Sequence, residues 1–263
     1  MISVVQLGTV DYRTALELQR ALVDLRKRSE SGDVLLLLEH PRVITLGRNA
    51  KAANVIAAPE QLAARGVEVF ECDRGGDVTY HGPGQLVGYP IFDLRGFTPP
   101  IGAVEFVRRL EEVLIRTCAD FHIAAERVAG MTGVWTKNQP QRDRDTEKTS
   151  AQGKIAAIGV HISRGVTSHG FALNVNTDLS DFELIVPCGI GWKPVTSMAK
   201  ELGKPVALDE VAQAAARHFG EVFASEVQRV DTLEALLGRS VGVPMQTPAE
   251  IRRLRGESEE TWA

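Results

Sequence analysis

The sequence predicts an α/β fold, and three observations carry that prediction. Short apolar runs bounded by glycine and proline alternate with stretches whose apolar residues recur at three- and four-residue steps. Two of the runs, on either side of Ser163-Arg164-Gly165, are spaced as a β-hairpin. The chain has 263 residues, ample for a buried core, and shows no internal repeat or linker, so residues 1–263 are expected to form one domain.

In chain order, residues 3–7 read as a strand. Asp11 caps a helix whose Ala15, Leu18, Leu22 and Leu25 share a face. A strand over 34–38 leads to His40-Pro41, where proline forces an extended entry, and Gly47 lets the backbone turn. Residues 74–86 form a glycine-rich loop ahead of a strand over 87–94. That loop lacks the lysine and hydroxyl residue of a phosphate-binding loop. Val104, Val107, Leu110, Leu114 and Cys118 mark a helix that buries Cys118. Strands follow over 123–128 and 133–136, then a polar run over 138–153 expected to be a mobile loop. An apolar strand-like run over 184–186 precedes Pro187, a helix is expected over 208–227 with His218 near its edge, and Thr247-Pro248-Ala249-Glu250 opens a short terminal helix. Asn174, Asn176 and Asp178 mimic the start of a calcium loop, but Leu179 and Ile185 occupy its glycine and terminal acidic positions, so no metal site is assigned.

Composition narrows the function. Thirty basic residues against 34 acidic ones give a net charge of −4, which argues against a nucleic-acid binder. Cys72, Cys118 and Cys188 are odd in number and far apart, unlike a disulfide framework or a zinc site, and fit a reducing cytoplasm. Met1 to Gln6 contain no basic leader, and no apolar run approaches the ~20 residues of a membrane span, so a soluble protein is expected.

The chemistry concentrates between Gly153 and Trp192. Lys154 heads an apolar strand running to Ile162, which is anomalous for a lysine. With the turn centred on Arg164 and Gly165, Gly159 faces Gly170 and Lys154 faces Val175. Facing glycines leave a slot that a thin ligand chain or another backbone can approach, and a bulge or plain packing contact fits the spacing equally well. Cys188 lies among turn residues and can be presented as a nucleophile, or it can be a small core residue.

Arg74-Gly75-Gly76-Asp77-Val78-Thr79-Tyr80-His81, Gly153-Lys154-Ile155-Ala156-Ala157-Ile158-Gly159, Ser168-His169-Gly170-Phe171-Ala172-Leu173-Asn174 and Pro187-Cys188-Gly189 together strongly resemble the lipoyl(octanoyl) transferase family. The resemblance covers roughly residues 3–225. It leaves the loop over 138–153 and an extension over about 230–263 outside the family core. It implies a mixed sheet flanked by helices, as in the catalytic domains of biotin and lipoate protein ligases. It also implies transfer of an octanoyl group from acyl carrier protein to a lysine of lipoyl domains, those of 2-oxoacid dehydrogenase complexes and the glycine cleavage H protein. Carried over by position, Cys188 is the nucleophile and Lys154 its partner. Arg74, Gly75, Gly76, Asp77, Val78, Thr79, Tyr80, His81, Ala157, Ile158, Gly159, Gly170, Phe171 and Ala172 bind the acyl group, with no metal or cofactor. A cytoplasmic monomer is expected.

The implied chemistry is self-consistent. Attack of the Cys188 thiolate on a thioester is nearly thermoneutral, and the step from thioester to amide is downhill, so ATP is not needed. Lys154 acts either as a neutral base, which requires burial to lower its pKa by roughly three units at a cost of about 4 kcal/mol, or as a cation that stabilises the thiolate. Backbone N–H groups near Cys188 and Gly189 are candidates for the oxyanion site. His81 and His169 are candidates for proton transfer or for lining the pocket. The acyl chain is expected over the Gly159/Gly170 floor, and Arg48, Lys51, Arg142 and Arg144 form a candidate basic rim for the acidic carrier. The alternatives are an ATP-dependent lipoate or biotin ligase on the same fold and a non-catalytic module that binds carrier domains.

Overall fold

A computed structural model describes residues 1–137, 152–186 and 194–237. The chain runs β1 (Ile2–Thr9), α1 (Tyr12–Lys27), β2 (Asp33–Glu39), β3 (Val43–Leu46), α2 (Pro59–Ala64), β4 (Glu68–Glu71), β5 (Val78–His81) and β6 (Gln85–Ile91). It continues with α3 (Ala103–Asp120), β7 (Ala125–Val128), β8 (Met131–Thr136), β9 (Lys154–Ser163), β10 (Val166–Asn174), α4 (Met198–Leu202), α5 (Leu208–Val222), β11 (Val227–Val230) and α6 (Leu233–Leu237). The described strands form a mixed sheet in the order β11-β1-β2-β6-β10-β9-β8-β7 and a small sheet in the order β4-β3-β5.

Both faces of the large sheet are covered, which explains the unbroken leucine run of β2. Leu35 and Leu37 join the core under α3 and α5, while Val34, Leu36 and Leu38 join the core under α1. On α1, Asp11 accepts a hydrogen bond from the Thr14 N–H at 2.9 Å, and Ala15, Leu18, Leu22 and Leu25 are buried. Under α3 and α5, Phe92 is fully buried among the rings of Phe97, Phe106, Phe219 and Phe223, with centroids 5.3 to 6.4 Å away. The small sheet closes over a third core of Ile44, Val78, Tyr80 and Phe182. It is pinned by buried Asp181, which accepts from the Tyr80 hydroxyl at 2.7 Å and pairs with Arg42 and Arg65.

Several elements differ from the sequence reading. β5 lies inside the stretch expected to be loop, because Val78 and Tyr80 alternate into the third core and leave only 72–77 and 82–84 irregular. Val104 is 75% exposed, since it stands ~200° around α3 from buried Phe106. The helix expected to reach Val227 stops at Val222. Ala224 turns left-handed (φ 48°), and Val227–Val230 then pair in parallel with β1, which extends the large sheet beyond the expected core. Leu184 closes a 3-10 turn and Ile185 makes a single bridge to Val55, in place of the expected strand. The loop over 138–151 and the terminal helix near Thr247 lie outside the described residues. Among the described residues, no helix is long and apolar enough to cross a membrane.

The aromatic cluster yields a stability prediction. Phe92→Ala is expected to cost about 3–5 kcal/mol, read as a lower urea midpoint with an unchanged slope.

Candidate active site

The β9–β10 hairpin has the register read from the sequence: Gly159 pairs with Gly170 and Ser163 with Val166. The ladder ends at Ala156 and Leu173, so Lys154 does not pair with Val175. Instead Lys154 lies opposite Trp135 of β8 and forms a parallel bridge to Val195. Its N–H donates to the Pro194 carbonyl at 2.9 Å and its carbonyl accepts from Thr196 N–H at 3.0 Å. The Lys154 ammonium stands 5.3 Å from the centre of the Trp135 ring, and the side chain is half-buried, not enclosed as its apolar neighbours suggested. Gly133 makes the room for it. With φ at 122°, a Cβ there would stand 2.8 Å from Lys154 Cε.

Lys154 lines a small pocket that shares Thr79, Ala157 and Ala172 with a neighbouring cavity enclosing about 460 Å³ of non-atom space, open mouth included. Of the fourteen residues expected to bind the acyl group, Arg74, Gly75, Gly76, Thr79, His81, Ala157, Ile158, Gly159, Gly170, Phe171 and Ala172 line this cavity. Three do not. Val78 and Tyr80 are buried in the core of the small sheet. Asp77 accepts hydrogen bonds from the Lys51 and Val78 N–H groups and from the Asn54 amide, which shapes the glycine loop from behind.

The glycine slot is not an open floor. A Cβ on Gly159 would stand 2.6 Å from the Gly75 carbonyl oxygen, and one on Gly170 would overlap the Gly88 carbonyl. Gly75 N–H donates to the Val160 carbonyl at 3.0 Å, so another backbone takes the slot and roofs the cavity. Gly47 opens the expected turn, closed by the Ala50 N–H on its carbonyl at 2.9 Å, and serves the same end as Gly159: a Cβ on it would collide with the Gly76 carbonyl.

Buried Arg74 fixes the loop. Its guanidinium donates to Thr45 Oγ1 (3.0 Å), the Thr45 carbonyl (2.6 Å), the Asp77 carbonyl (2.7 Å) and the Gly75 carbonyl (3.0 Å). All four acceptors are neutral. Gln85 donates through Nε2 to the Tyr80 carbonyl and to Asn174 Oδ1, so its Oε1 accepts from His81 Nδ1–H at 2.8 Å. The tautomer of His40 follows in the same way: Nδ1–H donates to the Val10 carbonyl at 2.6 Å and Nε2 accepts from the Tyr89 hydroxyl at 2.7 Å. Burial pushes the pKa of His40 down to about 4, and burial with the nearby charges of His40 and Arg74 pushes that of His81 down to about 3. His81 is therefore neutral near pH 7 and lines the cavity. Cys118 is buried beneath α3, its thiol pushed up to about 12 by burial, which removes it as a nucleophile.

Cys188 and Gly189, and Arg142 and Arg144 of the expected rim, lie outside the described residues; Arg48 and Lys51 are exposed. The chain is anchored on either side of the cysteine. Val186 N–H donates to the Asn54 carbonyl at 2.7 Å, and Pro194 and Thr196 bond to the backbone of Lys154. Among the described residues, no cluster of three or more His, Cys, Asp or Glu is arranged to hold a metal ion.

Tyr12 and Tyr89 also line the cavity and were not singled out from the sequence. Tyr12 was hidden as the first residue of a helix and Tyr89 as one of a strand's apolar run.

Residues 11–220 match the lipoyl protein ligase A/B catalytic domain. The chain belongs to that family. It is 60% identical over 254 residues to an octanoyltransferase of Koribacter versatilis, covering 97% of each chain. It is 51% identical over 233 residues to an octanoyltransferase of Chloroflexus aurantiacus, covering 88% of this chain and 98% of the relative. Its fold is similar to that of lipoate-protein ligase A bound with ATP (TM-score 0.66, 16% identity, 90% and 92% covered). It is equally similar to the bipartite lipoate protein ligase of Thermoplasma acidophilum, described with its E2 lipoyl domain (TM-score 0.66, 17% identity, 90% of each chain covered). The family match bears out the resemblance read from the four motifs.

The buried histidines give the fold an acid limit. Each titrates near 6.5 in the unfolded chain, so between roughly pH 6.5 and 4 the unfolded state binds up to two more protons than the folded one. Stability is full above pH 6.5 and falls with acidification, with a slope from this pair approaching about 2.7 kcal/mol per pH unit near pH 5. Urea unfolding of His81→Asn between pH 7 and 5 is expected to lose about half of that slope.

Proposed function

We infer that this chain is an octanoyltransferase of protein lipoylation, and that it works through a thioester on Cys188. The observation that carries the reading is the apolar cavity between the glycine loop and the β9–β10 hairpin, which adjoins the pocket of Lys154 through Thr79, Ala157 and Ala172 and is walled by the family's acyl-binding segments. Its relatives named octanoyltransferase match nearly the whole chain. The donor is octanoyl-acyl carrier protein and the acceptor a lysine of a lipoyl domain, in the cytoplasm.

Cys188 as thiolate attacks the thioester carbonyl carbon. The carbon–sulfur bond to the carrier breaks, the carrier thiolate takes a proton and leaves, and the octanoyl group rests on Cys188. The neutral amine of the acceptor lysine then attacks this carbonyl, loses a proton, and expels the Cys188 thiolate as the amide forms. Lys154 supplies positive charge or a proton acceptor at the cavity end where both steps occur. Ala157 and Ala172 give the chamber a small apolar wall for the alkyl chain, and neutral His81 adds no charge to it. Exchange between thioesters conserves the acyl-transfer potential, so the amide forms without nucleotide activation.

Intact-mass measurement after mixing with octanoyl-acyl carrier protein is expected to show one added octanoyl group, absent in Cys188→Ala. Turnover onto a lipoyl domain is expected to fall by about a thousandfold or more in that variant, and also to drop in Lys154→Ala. Activity on free octanoate with ATP that survives Cys188→Ser would instead identify a ligase.

A further inference from the structure

We propose that His169 is a specificity-determining residue: it ends the acyl cavity and sets the longest chain the enzyme accepts. This rests on the proposed function, which puts the acyl carbonyl at the Lys154 end.

Strand alternation does not predict where the His169 side chain goes. His169 pairs with Val160, and its neighbours in step, Phe171 and Leu173, point into the core under α3 and α5. His169 does the opposite. Its backbone is left-handed, with φ at 55°, and its ring turns to the α1 face, 2.8 Å from Asp73 through Nε2 and 6.5 Å from the centre of the Tyr89 ring. A non-glycine residue held there is strained. Two contacts hold it. The side chain of Gln19, reaching from α1, accepts the His169 backbone N–H at 2.7 Å, and Asp73 holds the ring. That hydrogen bond also keeps the Asp73 carboxyl well below the usual carboxylate range.

The ring stands as a partition. It lines the apolar cavity on one side and, on the other, a second cavity enclosing about 710 Å³ with its mouth, walled by Gln19, Arg20, Asp24, Lys27 and His161. Gln19 Nε2 is buried there without a hydrogen-bond partner among the described residues. An alkyl tail longer than the apolar cavity must enter this polar chamber and strip water from its charged and amide groups, which is unfavourable. The strained histidine thus separates a space suited to methylenes from one suited to water.

The full-length protein tests this with octanoyl- and dodecanoyl-acyl carrier protein as donors, reading the rate of Cys188 loading by intact mass. The wild type is expected to favour octanoyl. His169→Gly, which suits a positive φ, is expected to raise the dodecanoyl-to-octanoyl loading ratio by about tenfold or more. Asp73→Ala frees the ring from the half-exposed outer side, and is expected to move the ratio the same way by less. A ratio unmoved in both variants, with the wild type loading octanoyl, overturns the role of His169. A wild type that loads neither donor overturns the proposed function and this inference with it.

Discussion

The site depends on one backbone contact between the two sheets. Gly75 N–H donates to the Val160 carbonyl, and the contact is possible only because Gly159 presents no Cβ to the Gly75 carbonyl. Together with the Asp73–His169 hydrogen bond, that docking closes the loop before β5 onto the β9–β10 hairpin. With it they enclose a chamber whose roof is peptide backbone and whose lining is mainly apolar. Any side chain at 159 forces the loop away, so the glycine is fixed by geometry, whatever ligand the chamber holds.

Neutral polar groups hold this docking in place. Arg74 is buried against four neutral oxygens and so brings a positive charge beside the chamber. Thr45 ties Arg74 to the His81 side of the cavity, Gln85 ties His81 to Asn174, and the Asn174 amide donates to the Thr196 carbonyl, whose own N–H is bonded to Lys154. The chain of bonds therefore runs from the glycine loop to the backbone of the lysine. Such a network is rigid only when each member is satisfied, and His81 within it is held neutral by burial, against the opposing pull of its bond to Gln85.

Position along the hairpin orders the chemistry. Lys154 stands at one end, flanked by Trp135 and given room by Gly133, and His169 stands at the other in a left-handed backbone. Regular alternation between these points supplies the small and apolar lining, and departures from regularity occur at the ends, where a charge or a wall is needed.

The sequence by itself determined the α/β class, the hairpin and its register and the family, because each rests on local periodicity or on motifs that are contiguous in the chain. It also marked Lys154 as anomalous and Cys118 as core. Only the tertiary structure decided that the Gly159 slot is filled by backbone, that Tyr80 and Val78 belong to a separate core, and that Val227–Val230 complete the large sheet. His169 is the clearest case: its direction is set by a positive φ and by Gln19, 150 residues away in the chain. Such outcomes depend on which distant groups meet, and no local period in the sequence encodes that meeting.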